Sequence, residues 1–126
     1  MRRSKYGAVR TTVDGITFAS KAEARRYSEL KMLEKAGEIW DLELQPRFPL
    51  SVPSTTGVLR HALKPRGLTK IGEYRGDFKY RDKTCDGSTQ PYIVEDVKGM
   101  KTPLYRWKKK HFEAQYGITI LETGAR

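Results

Sequence analysis

Hydrophobic and polar positions alternate along several stretches of this chain, and each such stretch predicts a strand. In V-R-T-T-V-D-G-I-T-F (9–18), Asp14-Gly15 sits between β-branched runs, the signature of a type I′ hairpin joining strands at 9–13 and 16–18. I-W-D-L-E-L-Q (39–45) alternates as a strand with Trp40 expected in the core, and 47–52 either extends it or pairs with it. I-G-E-Y-R-G-D-F-K-Y (71–80) and P-Y-I-V-E-D-V-K (91–98) read as central strands, separated by a polar turn around Asp86-Gly87. A short apolar strand is expected at 118–122.

Two segments change period from two to 3.6. Ser20 and Glu23 have the spacing of a capping box at a helix start, and Gly37 suits the position just past its end. Tyr27, Leu30 and Leu33 form its apolar stripe, and Glu23 and Arg26 continue that stripe towards the N-terminus, so Glu23 points at the core edge. Thr102 as N-cap and Pro103 at the first helical position open a second helix that runs to about 115 and ends at Gly117. Residues 1–8 read as a basic arm and 53–70 as a long basic loop, a length that is usually functional or disordered in a small domain. No internal repeat divides the chain, so 1–126 is read as one mixed α/β domain.

Charge narrows the class of partner. The 126 residues carry a net charge of +10, which favours polyanions and above all nucleic acid. No apolar run reaches the roughly 20 residues of a transmembrane helix, and the basic first residues lack the apolar stretch of a signal peptide. The single cysteine, Cys85, rules out an internal disulfide and cysteine-based zinc sites, and it fits a reducing, cytoplasmic setting.

The candidate chemistry centres on Y-I-V-E-D-V-K-G (92–99). Strand alternation puts Tyr92, Val94, Asp96 and Lys98 on one face and Ile93, Glu95 and Val97 on the other. An acid and a lysine sharing a face of an apolar strand are costly to bury unless a metal, a phosphate or each other compensates them. Asp77 falls within the preceding apolar strand, and Glu23 is a third acid within reach of the core edge. Two carboxylates at the ends of adjacent strands can bind Mg²⁺, a hard ion that takes oxygen ligands and keeps waters. A lysine beside them can offset charge on a phosphate or orient the attacking water. Either Glu95 or Asp96 can be nominated as the acid; spacing to Lys98 and the shared face favour Asp96, leaving Glu95 as a supporting residue that is solvated or paired to a helix. Gln45 is either a hydrogen-bonding support or a plain polar strand end.

The ordered series resembles the PD-(D/E)XK nuclease superfamily, in particular small phage-encoded endonucleases related to Holliday-junction-resolving enzymes. F-A-S-K-A-E-A-R-R-Y (18–27), L-E-L-Q (42–45), Y-R-G-D-F-K-Y (74–80), V-E-D-V-K-G (94–99) and T-P-L-Y-R-W-K-K-K (102–110) carry the resemblance across most of the chain. It departs at Gly76, where the motif's name has proline. The resemblance implies a restriction-endonuclease-like core, a four-stranded mixed sheet flanked by helices, here preceded by a hairpin. It further implies Mg²⁺ or Mn²⁺ dependence, with Glu23, Asp77 and Asp96 as ligands and Lys98 as the catalytic cation. The implied activity is cleavage of branched DNA by a homodimer, in phage DNA recombination or processing inside a bacterial host.

The basic residues supply the expected DNA contacts: Arg2, Arg3 and Lys5 in the arm, Arg60, Lys64, Arg66 and Lys70 in the loop, and Lys101, Arg106, Lys108, Lys109 and Lys110 around the second helix. His61 and His111 read as phosphate contacts or surface residues, and no pattern of an HNH nuclease surrounds them. Two other functions compete. A non-catalytic nucleic-acid-binding protein accounts for the charge but not for acids among apolar strands, and a nuclease for mismatched or single-stranded DNA accounts for both.

Overall fold

The computed structural model describes residues 9–54, 67–87, 89–98 and 100–124. Arg2, Arg3 and Lys5 of the arm and Arg60, His61, Lys64 and Arg66 of the loop lie outside these residues. The chain opens with an antiparallel hairpin of β1 (Thr11–Val13) and β2 (Ile16–Phe18), turned at Asp14 and Gly15, both with positive φ, as a type I′ turn requires. Helix α1 (Lys21–Lys35) follows, with Ser20 Oγ accepting the Glu23 N–H at 3.1 Å and Gly37 in the left-handed region just past its end. The Glu23 carboxylate turns to the Ala19 backbone rather than closing a reciprocal box with Ser20.

The centre is a four-stranded mixed sheet built from β3 (Ile39–Leu44), β6 (Phe78–Asp82), β7 (Ile93–Lys98) and β8 (Leu121–Gly124), in that spatial order. All neighbours are antiparallel except β7 and β8, which run parallel because α2 (Pro103–Tyr116) provides the crossover between them. Strands β4 (Arg47–Pro53) and β5 (Leu68–Arg75) form a separate antiparallel ribbon. This is the mixed α/β architecture expected: a four-stranded mixed sheet, two helices and an N-terminal hairpin.

The alternation in β7 divides the core. Ile93 and Val97 pack with Phe18, Tyr27, Leu30 and Phe78 beneath α1. Tyr92 and Val94 pack with Phe48, Leu50, Tyr74 and Phe112 beneath α2 and the β4–β5 ribbon. Phe112 is fully buried, its ring 4.8 Å from that of Phe48 and 5.0 Å from those of Tyr74 and Tyr116.

Several expectations are corrected. The stretch 71–80 is not one strand but two, broken at Gly76-Asp77, where the chain passes from the ribbon into the sheet. Residues 47–52 pair with β5, not with β3, and both ends of the expected 53–70 loop belong to strands, Pro53 to β4 and Leu68–Lys70 to β5. Trp40 is 37 % exposed, not core, because a bulge between Trp40 and Glu43, with Asp41 at φ 57°, resets the alternation so that Ile39, Leu42 and Leu44 face α1. Leu33 is exposed because the buried positions 23, 27 and 30 continue by helical period to 34, not 33. The last strand begins at Leu121 rather than 118; upstream, the Thr119 N–H goes to Gln90 and the Ile120 N–H to Glu113, so Ile118 and Ile120 are buried without joining the ladder.

No helix among the described residues is long and apolar enough to cross a membrane. Truncation of the aromatic centre tests the second core: Phe112→Ala is expected to cost about 3–5 kcal/mol in urea unfolding, since three ring contacts are lost around a void.

Candidate active site

Each sequence-predicted acid arrives at the C-terminal half of β7 on a different element. Asp96 and Lys98 come from β7, Asp77 from the residue before β6, and Glu23 from the first turn of α1. Asp77 is fixed by the main chain: its N–H donates to the Glu95 carbonyl at 3.0 Å, its carbonyl accepts the Gln45 N–H at 2.9 Å, and its Oδ2 accepts the Val97 N–H at 2.7 Å. Gly76 makes that approach possible. A Cβ there would stand 3.1 Å from Val94 Cγ1 and 3.4 Å from the Tyr74 hydroxyl. The Gly76 N–H also donates to the Pro46 carbonyl at 3.0 Å, a bond that proline in this position would remove. Gln45 therefore supports the site through its backbone, in the left-handed region at φ 49°, with its side chain exposed.

Asp96 is 1 % exposed. The Tyr74 hydroxyl donates to its Oδ2 at 2.6 Å, and Lys98 Nζ lies 3.1 Å from its Oδ1. The same ammonium sits 4.2 Å above the Tyr105 ring. Asp77 faces Asp96 within hydrogen-bonding reach, and Glu23 acts electrostatically on both. Burial first, then the charges of Asp96 and Glu23, push the Asp77 carboxyl up to about 8. Burial and then Asp96 also raise Glu23, partly offset by Arg75 and Lys98. The cluster thus gathers three acids, and Lys98 is the cation bound to one of them.

Glu95 is 0 % exposed and points to the opposite face. Arg26 holds it with both Nε and Nη2, the latter at 3.1 Å to Oε2, and the Tyr80 hydroxyl donates to Oε2 at 2.6 Å. It is helix-paired and not solvated. Arg26 lies one turn after Glu23, so this clamp sets how α1, and with it Glu23, sits on the sheet.

The expected DNA contacts divide. Arg106 and Lys110 are exposed on α2, Lys70 on β5, and Lys108 lines a groove beside the site. Lys101 and Lys109 instead pair with Glu122 at 3.1 and 3.2 Å. Glu122 also accepts from the Tyr105 hydroxyl at 2.6 Å, and that bond, with the two lysines, lowers its carboxyl to about 2. His111 is not a free surface residue: it bonds the Ser51 carbonyl at 2.9 Å and ties α2 to β4.

Sequence reasoning missed Tyr74, Tyr105, Arg26 as a clamp, and Arg75. Only Arg26 had a signal, its place on the Glu23 stripe. Tyr74 and Asp96 lie far apart in the chain and meet only because the ribbon folds over β7.

Residues 3–122 match the family described as a protein of unknown function, DUF1064. The chain belongs to the DUF1064 family. No curated protein and no solved structure matches it. The matched region of this DUF1064 protein contains all four of Glu23, Asp77, Asp96 and Lys98.

Two outcomes follow from the electrostatics. Asp77 has a folded-state pKa above its unfolded one, so its contribution to stability is full below the unfolded value and is lost as pH rises through about 8. In Asp77→Asn the carbonyl can still accept from Val97 while the amide donates to Asp96. This variant should gain about 0.5–2 kcal/mol over wild type at pH above neutral in EDTA, and little in acid. Equal melting temperatures at both ends of the pH range would contradict this. Arg26→Ala leaves Glu95 buried and unpaired, and thermal or urea unfolding should register a loss of about 3–5 kcal/mol.

Proposed function

We propose that this protein is a divalent-metal-dependent endodeoxyribonuclease of the PD-(D/E)XK kind. The observation that carries the reading is the meeting of Asp77, Asp96, Lys98 and Glu23, from three elements, beside a cationic groove. A purely structural cluster would pair each acid with a cation, as Glu95 is paired with Arg26. Here three acids crowd together at a cost to stability, the pattern of a site kept for chemistry.

The donor set fits Mg²⁺ or Mn²⁺. All candidate ligands are carboxylate oxygens, which such hard ions prefer, and Mg²⁺ is commonly held by one or two carboxylates with waters completing the shell. Asp77 and Asp96 would hold the ion, with Glu23 as a further or water-mediated ligand. When bound, it would supply polarisation of the phosphoryl oxygen and stabilisation of the leaving oxygen.

The side chains of the chain itself do the rest. Tyr74 fixes the rotamer of Asp96 by donating to Oδ2, leaving Oδ1 to Lys98. Lys98, lying over Tyr105, presents its ammonium where a phosphate's developing charge would need it, and can orient the attacking water. Val97 N–H holds Asp77 on the sheet. By resemblance the substrate is branched DNA, and two cuts in a junction call for a pair of sites in a homodimer.

The test is cleavage of a labelled four-way junction, a flap, a duplex and a single strand with Mg²⁺ or EDTA. Wild type should cut only with the metal, and Asp77→Asn and Lys98→Ala should each lose on the order of 10²–10³-fold or more in rate. Cleavage that persists in both variants, or no cleavage of any substrate, would leave a basic binding protein as the better reading.

A further inference from the structure

Beyond Tyr74 and Tyr105 lies an open groove that the site residues do not fill. Arg47, Glu73 and Arg75 of the ribbon form one side, and Thr102, Leu104 and Lys108 at the start of α2 form the other. Tyr74 and Tyr105 belong to both the groove and the acid cluster, because Tyr74 donates to Asp96 and Tyr105 lies under Lys98. Arg75 links the two as well, since its charge acts on Glu23. Three cations line the groove against one carboxylate, Glu73, whose contact with Arg47 is long at 3.9 Å and solvent-exposed.

Exposed apolar side chains on α2 are the second observation. Leu104 of the groove wall is 60 % exposed, and Trp107, three residues on along the helix and next in sequence to Lys108 of the wall, is 52 % exposed. Trp107 stands among Arg106, Lys108 and Lys110, with His111 as its ring neighbour at 6.0 Å. A DNA duplex turns phosphates and sugars outward and would leave these apolar groups facing charge. An unpaired strand offers both a backbone for cations and base faces for an exposed indole, the combination that single-strand sites use.

We propose that this groove binds a single, unpaired DNA strand leading into the acid cluster. Its phosphates rest on Arg47, Arg75 and Lys108, and an unstacked base rests on Trp107 and Leu104. The substrate class is therefore DNA with a single-stranded segment next to the scissile phosphate, a statement that builds on the nuclease reading.

Fluorescence anisotropy in EDTA with Asp77→Asn as the background separates binding from cleavage. The probes are labelled oligothymidylate, the matching RNA and a duplex of the same length. Oligothymidylate should bind more tightly than either. Arg75→Gln and Trp107→Ala should each weaken it by about fivefold or more, while Trp107→Phe should retain most of the affinity. Lys83→Gln, on the surface of the 83–85 turn, should leave binding unchanged. Melting curves check that each variant is folded. Equal or tighter binding of duplex or RNA, or folded Arg75 and Trp107 variants that bind like the parent, would overturn the groove assignment. Strand binding with no metal-dependent cleavage by wild type would instead overturn the nuclease reading and leave the groove standing.

Discussion

Glu95 and Asp96 are neighbours in β7, both carboxylates and both buried, and the pleat of the strand sends them to opposite faces of the sheet. Everything else in the structure is arranged around that separation. On one face, α1 answers Glu95 with a guanidinium, and Tyr80 adds a hydroxyl. That acid is satisfied and acts as an anchor for the helix. On the other face, Tyr74 and Lys98 answer Asp96, but the same region also receives Asp77 and Glu23. One acid holds the fold together and the other is surrounded by its like. A slip of one residue in the pairing of β7 would exchange the two roles and bury the wrong acid beside the wrong partners.

The break at Gly76-Asp77 completes the arrangement. A continuous strand through this point would carry Asp77 along the ribbon. The break lets β5 pack over the α2 face while β6 enters the sheet, and it leaves Asp77 at the junction with all its backbone groups bonded. The ribbon then supplies Tyr74 to the site and, with α2, the walls of the cationic groove. Fold and proposed chemistry are linked here by geometry: the turn that redirects the chain also brings the acids together.

Much of this was legible along the chain wherever the determining interaction is local. Asp14-Gly15, Ser20, Gly37, Thr102-Pro103 and Gly117 marked their turns and caps because those conformations depend on the residue itself and its near neighbours. Alternation in 92–98 sorted Asp96 and Lys98 from Glu95, and the helical stripe placed Glu23 inward. Trp40 escaped because one bulged residue inverts a strand's faces without changing its composition. The strand over 71–80 was cut in two by a packing constraint at Gly76, not by any break in its hydrophobic pattern. Lys101 and Lys109 looked like free cations until Glu122, from a later strand, was brought beneath them.

The sequence by itself determined the hairpin, both helices, the two faces of β7 and the candidate acids, because side-chain period and capping chemistry act over a few residues. The tertiary structure decided which charges are satisfied and which are left crowded. Arg26 meets Glu95, Tyr74 meets Asp96, and the charge of Arg75 acts on Glu23 only after the sheet, the ribbon and both helices have packed. Burial makes those long-range pairings matter, since a charge removed from water must find its partner within the fold.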